Sequence, residues 1–203
     1  IARGLRHNEY VVDPDLSTFL ASTPEMEAYR HDLFWAQAYA ELNRQVMAEL
    51  IVSGLRRKIF PTLTVLETIG CMHNYVASEV HFGEEVFVTR KGAVRAEKGD
   101  AVLIPGSMST GSFICRGKGN PDSFNSSPHG AGRRMSRTAA SKAYSRDDLK
   151  DRMKWITWDG GDYVDEIQEA YKPIGTVIGD SSDLVEVVHS LKQFLNIKAS
   201  DRP

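Results

Sequence analysis

Ser126-Ser127-Pro128-His129-Gly130-Ala131-Gly132-Arg133-Arg134-Met135-Ser136-Arg137 is the stretch around which the rest of the chain is organised. It sets one histidine before a run of small residues and then three arginines within five positions. Gly130, Ala131 and Gly132 carry almost no side chain, so their backbone N–H groups can come close to an anion. Arg133 and Arg137 are four apart. A helix after Gly132 would put both guanidinium groups on one face, forked onto one phosphate. A histidine beside a phosphate cradle serves as a base, a metal ligand or a nucleophile on phosphorus, and these residues alone leave all three open. The same stretch also fits a glycine turn leading into a basic, solvated helix.

The charge pattern supports an anionic ligand. The chain has 203 residues and a formal net charge of −2. Residues 1–112 carry 11 basic and 14 acidic side chains, and residues 147–203 carry seven basic and 12 acidic. Residues 113–146, centred on His129, carry seven basic and one acidic. A polyphosphate or an RNA end suits that concentration of positive charge better than a neutral metabolite does. The alternative is a positive surface helix balanced by acids elsewhere in the fold. Cys71 and Cys115 lie far apart with no CxxC spacing, which fits a reducing compartment and argues against a disulfide framework or a zinc ribbon. Cys115 reads as core; Cys71, two residues from His73, reads as core or as part of the same pocket. No apolar run is long enough to span a bilayer. The chain opens on Ile1-Ala2-Arg3 rather than Met, so upstream material is expected.

One α+β unit is expected, with a long helix region over 1–55, a strand-rich core over 56–144 and terminal helices over 145–203. An extended piece at Tyr10-Val11-Val12 precedes the turn residues Asp13-Pro14-Asp15. Thr23-Pro24-Glu25 is a helix start. Apolar residues then recur at helical spacing up to Gly54, a plausible stop. Trp35 and Tyr39 on that helix read as packing residues, and Asn43-Arg44 as solvated. Strands are expected at 65–69, 86–89, 94–96, 101–104 and 112–115, with a hairpin turn at 90–93 and another turn at 97–100. Ser145-Arg146-Asp147-Asp148 opens a helix with a capping box, running to about Trp155. A loop covers 157–162, and 164–171 is read as helical. Beyond 184, Leu184, Val188, Leu191 and Leu195 favour helix first and strand at the end, with 199–203 frayed.

The blocks in this sequence resemble the RtcB family of RNA-splicing ligases. Ser-x-x-His-Gly-Ala-Gly-Arg-x-Met-Ser-Arg is similar to that family's signature. The likeness extends through His73-Asn74-Tyr75-Val76, Phe82-Gly83-Glu84-Glu85, Arg90-Lys91-Gly92-Ala93, Ile104-Pro105-Gly106-Ser107-Met108 with Ser112, Ala170-Tyr171-Lys172 and Asn196-Ile197-Lys198, in the family's order. The resemblance implies a GTP- and manganese-dependent ligase joining an RNA 3′-phosphate or 2′,3′-cyclic phosphate to a 5′-hydroxyl. His129 would attack the α-phosphate of GTP and carry GMP. His73 would bind manganese. His73, Asn74, Pro105, Gly106, Ser107, Met108, Ser112, His129, Gly130, Ala131, Gly132, Tyr171 and Lys198 would line the guanylate pocket, with Lys198 on a guanine carbonyl and Arg133 and Arg137 on phosphate or RNA. A cytoplasmic monomer acting in tRNA splicing or RNA repair, with an accessory activator conceivable, follows from the same resemblance. The family's other metal ligands fall upstream of these blocks, so the site is expected to be incomplete here.

Three departures from the pattern stand out. Ser109 follows Met108 where glycine is usual, Pro128 precedes His129 and restricts Ser127 to extended backbone, and Lys198 is followed by Ala-Ser-Asp-Arg-Pro. His7, His31, His81 and His189 match no block and read as surface or structural. Two other functions are weighed against the ligase. One is a non-catalytic guanine-nucleotide or RNA-binding module that completes a site on another polypeptide. The other is a phosphoesterase using His129 as a base.

Overall fold

The computed structural model describes residues 19, 20 and 22–198, so the expected extended piece at 10–12 and the tail at 199–203 lie outside the described residues. The chain divides into two compact units, at Thr64/Val65.

In the first unit, α1 (Pro24–Lys58) starts where the sequence places it. The Thr23 hydroxyl accepts from the Met26 N–H at 3.3 Å, with Pro24 in the first turn. Glu25 and Glu27 at this end, and Arg56, Arg57 and Lys58 at the other, each oppose the helix dipole favourably. Gly54 does not stop the helix, since a turn more of good helix formers follows it; the end comes at Ile59, before Pro61. At ~1.5 Å per residue, α1 is about 50 Å long. It contains no buried residue. Trp35 and Tyr39 stack on each other, with ring centroids 5.7 Å apart, and both are exposed rather than core.

The second unit is built from antiparallel ladders and short helices, a mixed α+β arrangement. β1 (Asn74–His81) and β2 (Glu84–Lys91) pair through the two-residue turn Phe82-Gly83, both at positive φ as hairpin twist demands. β3 (Ala93–Arg95) pairs with β6 (Ser126–Pro128), matching Ala93 with Pro128 and Arg95 with Ser126. β4 (Ala101–Pro105), β5 (Ser112–Gly117) and β7 (Val185–Leu191) make a three-stranded sheet with β5 in the centre. α2 (Arg137–Ala143), α3 (Arg146–Met153) and α4 (Ile174–Asp180) complete it. Ser145 and Asp148 form the expected capping box on α3, which stops at Met153.

Several expectations need correction. Residues 65–69 form no strand. The Lys91-Gly92-Ala93 corner is no hairpin, because β2 pairs with β1 while β3 pairs with β6; Gly92, at φ 75°, is where the chain changes sheets. Residues 164–171 form two short 3₁₀ turns rather than one helix. Of the helix-spaced residues, Val188 and Leu191 lie on strand β7, where Val185, Val187 and Leu191 pair with β5, while Leu184 precedes the strand and Leu195 bridges to Thr157.

Two cores result. Val94, Ala96, Val102, Ile104, Cys115 and Val185 form one, with Cys71 packed at its edge. Met108, Ala140, Leu149, Met153, Val164, Ile167 and Ala170 form the other. Each fully buried aliphatic side chain contributes roughly 1.5–3 kcal/mol. The turn after β4 runs from Ile104 in the first core to Met108 in the second, and this turn is part of the candidate site.

Candidate active site

Two imidazoles meet at Gly92. His73 directly precedes β1 and His129 directly follows β6, so each is placed by the end of a different ladder. The rings of His73 and His129 stack with centroids 4.8 Å apart and planes 4° from parallel. The Gly92 N–H donates to the His73 carbonyl at 2.9 Å, and the Gly92 carbonyl accepts from the His129 N–H at 3.4 Å. Asn74 Oδ1 also faces the Gly92 N–H at 3.4 Å. A side chain at Gly92 would begin 3.6 Å from His129 Cε1, on backbone that already favours glycine.

The Pro105–Met108 turn borders His129. The Ala131 N–H donates to the Pro105 carbonyl at 3.1 Å, so this donor is committed to the fold and is not offered to an anion, contrary to the sequence reading. The turn itself is closed by Ser107 N–H to Thr110 Oγ1 at 2.7 Å and Gly106 N–H to the Gly111 carbonyl at 3.0 Å. Gln193 Nε2 reaches the carbonyls of Ser107, Met108 and Thr110 at 2.8–2.9 Å, and Asn196 Nδ2 reaches Met108 at 2.6 Å. Ser109, where glycine was expected, donates to Gln168 Oε1 at 2.7 Å. Ser112 opens β5 opposite Pro105. Thr110 and Gln193 escaped the sequence reading because nothing local marks a side chain that holds a distant turn.

Gly106 makes a test of this turn. A β-carbon there would collide with Thr110 Oγ1 and stand 2.5 Å from the Gly111 carbonyl oxygen. Gly106→Ala is expected to cost about 1–3 kcal/mol through overpacking, read as a drop in thermal midpoint of about 2–4 °C per kcal/mol. Gly175→Ala in α4, with open space around its β-carbon, is the matched control and should not lower the midpoint.

The basic side chains gather in a way the helix argument did not foresee. Arg133 lies outside any helix, and α2 begins only at Arg137. Both nevertheless reach Glu166, in the 3₁₀ turn Val164–Glu166. Glu166 Oε1 accepts from Arg133 Nη1 at 3.3 Å and pairs with Arg137 Nη2 at 3.0 Å. Its Oε2 accepts from the Tyr171 hydroxyl at 2.5 Å and lies 3.5 Å from Lys198 Nζ. Arg133 also covers the Tyr171 ring at 4.9 Å and donates to that hydroxyl at 3.1 Å. Burial would push the Glu166 carboxyl up, but the Tyr171 hydrogen bond and the charges of Lys198, Arg137 and Arg133 outweigh it and hold the group below the usual carboxylate range. Burial, together with the Glu166 carboxylate, raises the Tyr171 phenol. Thus Tyr171, Lys198, Arg133 and Arg137, named separately from sequence, converge on a carboxylate that the sequence did not single out.

Of the other histidines, His7 lies outside the described residues, and His189 is on the exposed part of β7. His81 is buried against Glu79 at 2.8 Å, and His31 faces Asp32 on the exposed surface of α1. Among the described residues no group of three or more His, Cys, Asp or Glu side chains could hold a metal ion. The described residues therefore do not supply a complete set of metal ligands by themselves. No helix among the described residues is long and apolar enough to cross a membrane.

The described residues thus hold a stacked histidine pair, a serine turn next to His129, and a separate gathering of arginine, tyrosine and lysine side chains on Glu166. The family model described as tRNA-splicing ligase RtcB matches residues 2–199, and the chain belongs to this family. It is 45% identical over 190 residues to the RNA-splicing ligase RtcB of Escherichia coli strain K12, covering 91% of this chain and 47% of that protein. It is 32% identical over 199 residues to the RNA-splicing ligase RtcB of Mycobacterium tuberculosis, covering 85% of this chain and 45% of that protein. With the tRNA-splicing ligase RtcB of Nanoarchaeum equitans the identity is 29% over 209 residues, covering 89% and 42%. The chain thus spans about half the length of the curated relatives it matches.

Proposed function

We propose that this chain carries the nucleotide-accepting histidine and the phosphate- and base-contacting residues of a GTP-dependent RNA ligase that joins 3′-phosphate or 2′,3′-cyclic phosphate ends to 5′-hydroxyl ends. The observation that carries the reading is the His73–His129 stack at Gly92, set against the Pro105–Met108 turn. An imidazole nitrogen of His129 attacks the α-phosphorus of GTP; the N–P bond forms as the bond to the pyrophosphate oxygen breaks, and pyrophosphate leaves. A 2′,3′-cyclic end is first opened by water, which breaks the bond to the 2′-oxygen and leaves a 3′-phosphate; an oxygen of the 3′-phosphate then displaces the imidazole from phosphorus and takes the GMP. The 5′-hydroxyl attacks the activated 3′-phosphate, gives up its proton and releases GMP. Each step gathers negative charge on phosphorus, and Arg133 and Arg137 supply fixed positive charge to meet it. Tyr171 borders the base and Lys198 donates to a guanine carbonyl. Manganese, when held by His73 together with donors outside the described residues, supplies charge neutralisation.

The test is a chimera in which this chain replaces the segment it matches in the E. coli relative. Given GTP labelled at the α-phosphate and manganese, the chimera is expected to carry an acid-labile label on His129 and to join RNA. Joining that survives His129→Ala refutes the role. The other reading is a binding module that completes a site on another polypeptide; nucleotide binding with no covalent label is the result that favours it.

A further inference from the structure

We propose that Glu166 is a positioning residue that ties the phosphate end of the nucleotide site to its base end and thereby sets the preference for guanine; the proposal rests on the functional reading above. The two carboxylate oxygens serve different sets of donors. Oε1 holds Arg133 and Arg137, the side chains assigned to phosphate. Oε2 holds Tyr171 and Lys198, the side chains assigned to the base. The anchor is firm, because Val164 and Ile167 on either side are buried in the second core and the Glu166 side chain is only 13% exposed. Arg133 is also held by the Met135 and Asp165 carbonyls and by Tyr171, so the donors that depend most on Glu166 are Arg137 and Lys198. Among the described residues, the ion-pair partners of Arg137, 72% exposed, are Glu166 and Asp165, each at 3.0 Å. For Lys198, 36% exposed, Glu166 is the ion-pair partner.

The chemistry makes a carboxylate necessary here. Three cations, Arg133, Arg137 and Lys198, face two anions, Asp165 and Glu166, leaving the cluster net positive and ready for a phosphate. Only an ionised carboxylate accepts on both oxygens at once. Glutamine keeps the shape but turns one oxygen into an NH₂ donor, which must face either the arginines or the Tyr171–Lys198 pair. A long, exposed lysine released in this way recovers its rotamer freedom and must be ordered again each time a base binds.

Binding of GTP and of ATP to the 203-residue chain, measured by calorimetry for the wild type, Glu166→Gln, Lys198→Ala and the double variant, tests this. Glu166→Gln is expected to weaken GTP binding about tenfold, the scale of one charged hydrogen bond, and to leave ATP binding less affected, so that the GTP-to-ATP ratio falls toward one. Lys198→Ala should also lower the ratio, and adding it to Glu166→Gln should lower it no further. A merely structural glutamate would lower the thermal midpoint and shift both nucleotides equally, and that result, or an unchanged GTP-to-ATP ratio in Glu166→Gln, overturns the proposal while leaving the ligase reading intact. A wild-type chain that binds neither nucleotide refutes the nucleotide-site reading and the positioning role with it.

Discussion

Arg90→Met is expected to lower the unfolding free energy by about 3–5 kcal/mol, the cost of orphaning one partner of a buried ion pair. Arg90 is 2% exposed and lies on β2 inside the second unit. Its guanidinium donates to both oxygens of Glu79 at 2.5 and 2.9 Å, to the Tyr75 hydroxyl at 3.0 Å, to Ser126 Oγ at 2.9 Å and to the Phe124 carbonyl at 2.8 Å. Methionine fills much of the volume but satisfies none of these acceptors, so Glu79 keeps only His81. The exposed pair Arg95–Asp100 is the control: with Arg95 52% exposed, Arg95→Met should cost less than about 1 kcal/mol. Denaturant unfolding of the two variants separates a buried network from a surface pair.

The same network predicts a pH dependence. The hydrogen bond from Arg90 is the largest influence on the Glu79 carboxyl and, with His81, holds it below the usual range despite burial. A depressed carboxyl stabilises the fold fully above its unfolded pKa of about 4.3 and loses that contribution as pH falls through its folded value. Wild type should therefore lose stability below about pH 4, whereas Arg90→Met, lacking the cause of the depression, should lose less there. The gap between the two proteins is expected to narrow on acidification; a gap that stays constant from neutral to acid pH refutes the assignment.

The second large effect is chemical. His129→Ala in the chimera is expected to reduce both covalent guanylate and RNA joining by three orders of magnitude or more, on the order of what removal of a nucleophile costs elsewhere. His73→Ala removes the parallel ring 4.8 Å away but not the proposed nucleophile. It should leave a measurable fraction of the label at raised manganese, while His129→Ala should not recover under any metal concentration. Equal, metal-insensitive losses in the two variants would mean that the pair acts only as a packing unit.

The parts of the fold legible in the sequence are those whose pieces are local. The Thr23 and Ser145 caps, the turn at 97–100 and the small residues around His129 each report through side chains a few positions away. The partners of those pieces were not legible. Arg133 and Arg137 were joined by a supposed helix face, yet they meet through Glu166, about 30 positions later in the chain. Arg90 read as a turn residue and is a buried hub, because its acceptors arrive from β1, from Ser126 on β6 and from Phe124 just before it. The leucines beyond 184 fit a helical period, but a strand gives their β-branched neighbours a ladder with β5 that a helix would forgo. Long-range pairing decided each of these cases, and one-dimensional spacing carries no record of it.

The corner glycine between β2 and β3 has a consequence for motion. Its single peptide neighbourhood is hydrogen-bonded to the backbone of both histidines, so bending of either ladder carries the two rings along together. Strand breathing should then shift the pair relative to an incoming nucleotide while leaving ring-to-ring spacing nearly constant, and an alignment inherited from backbone in this way outlasts most side-chain changes around it.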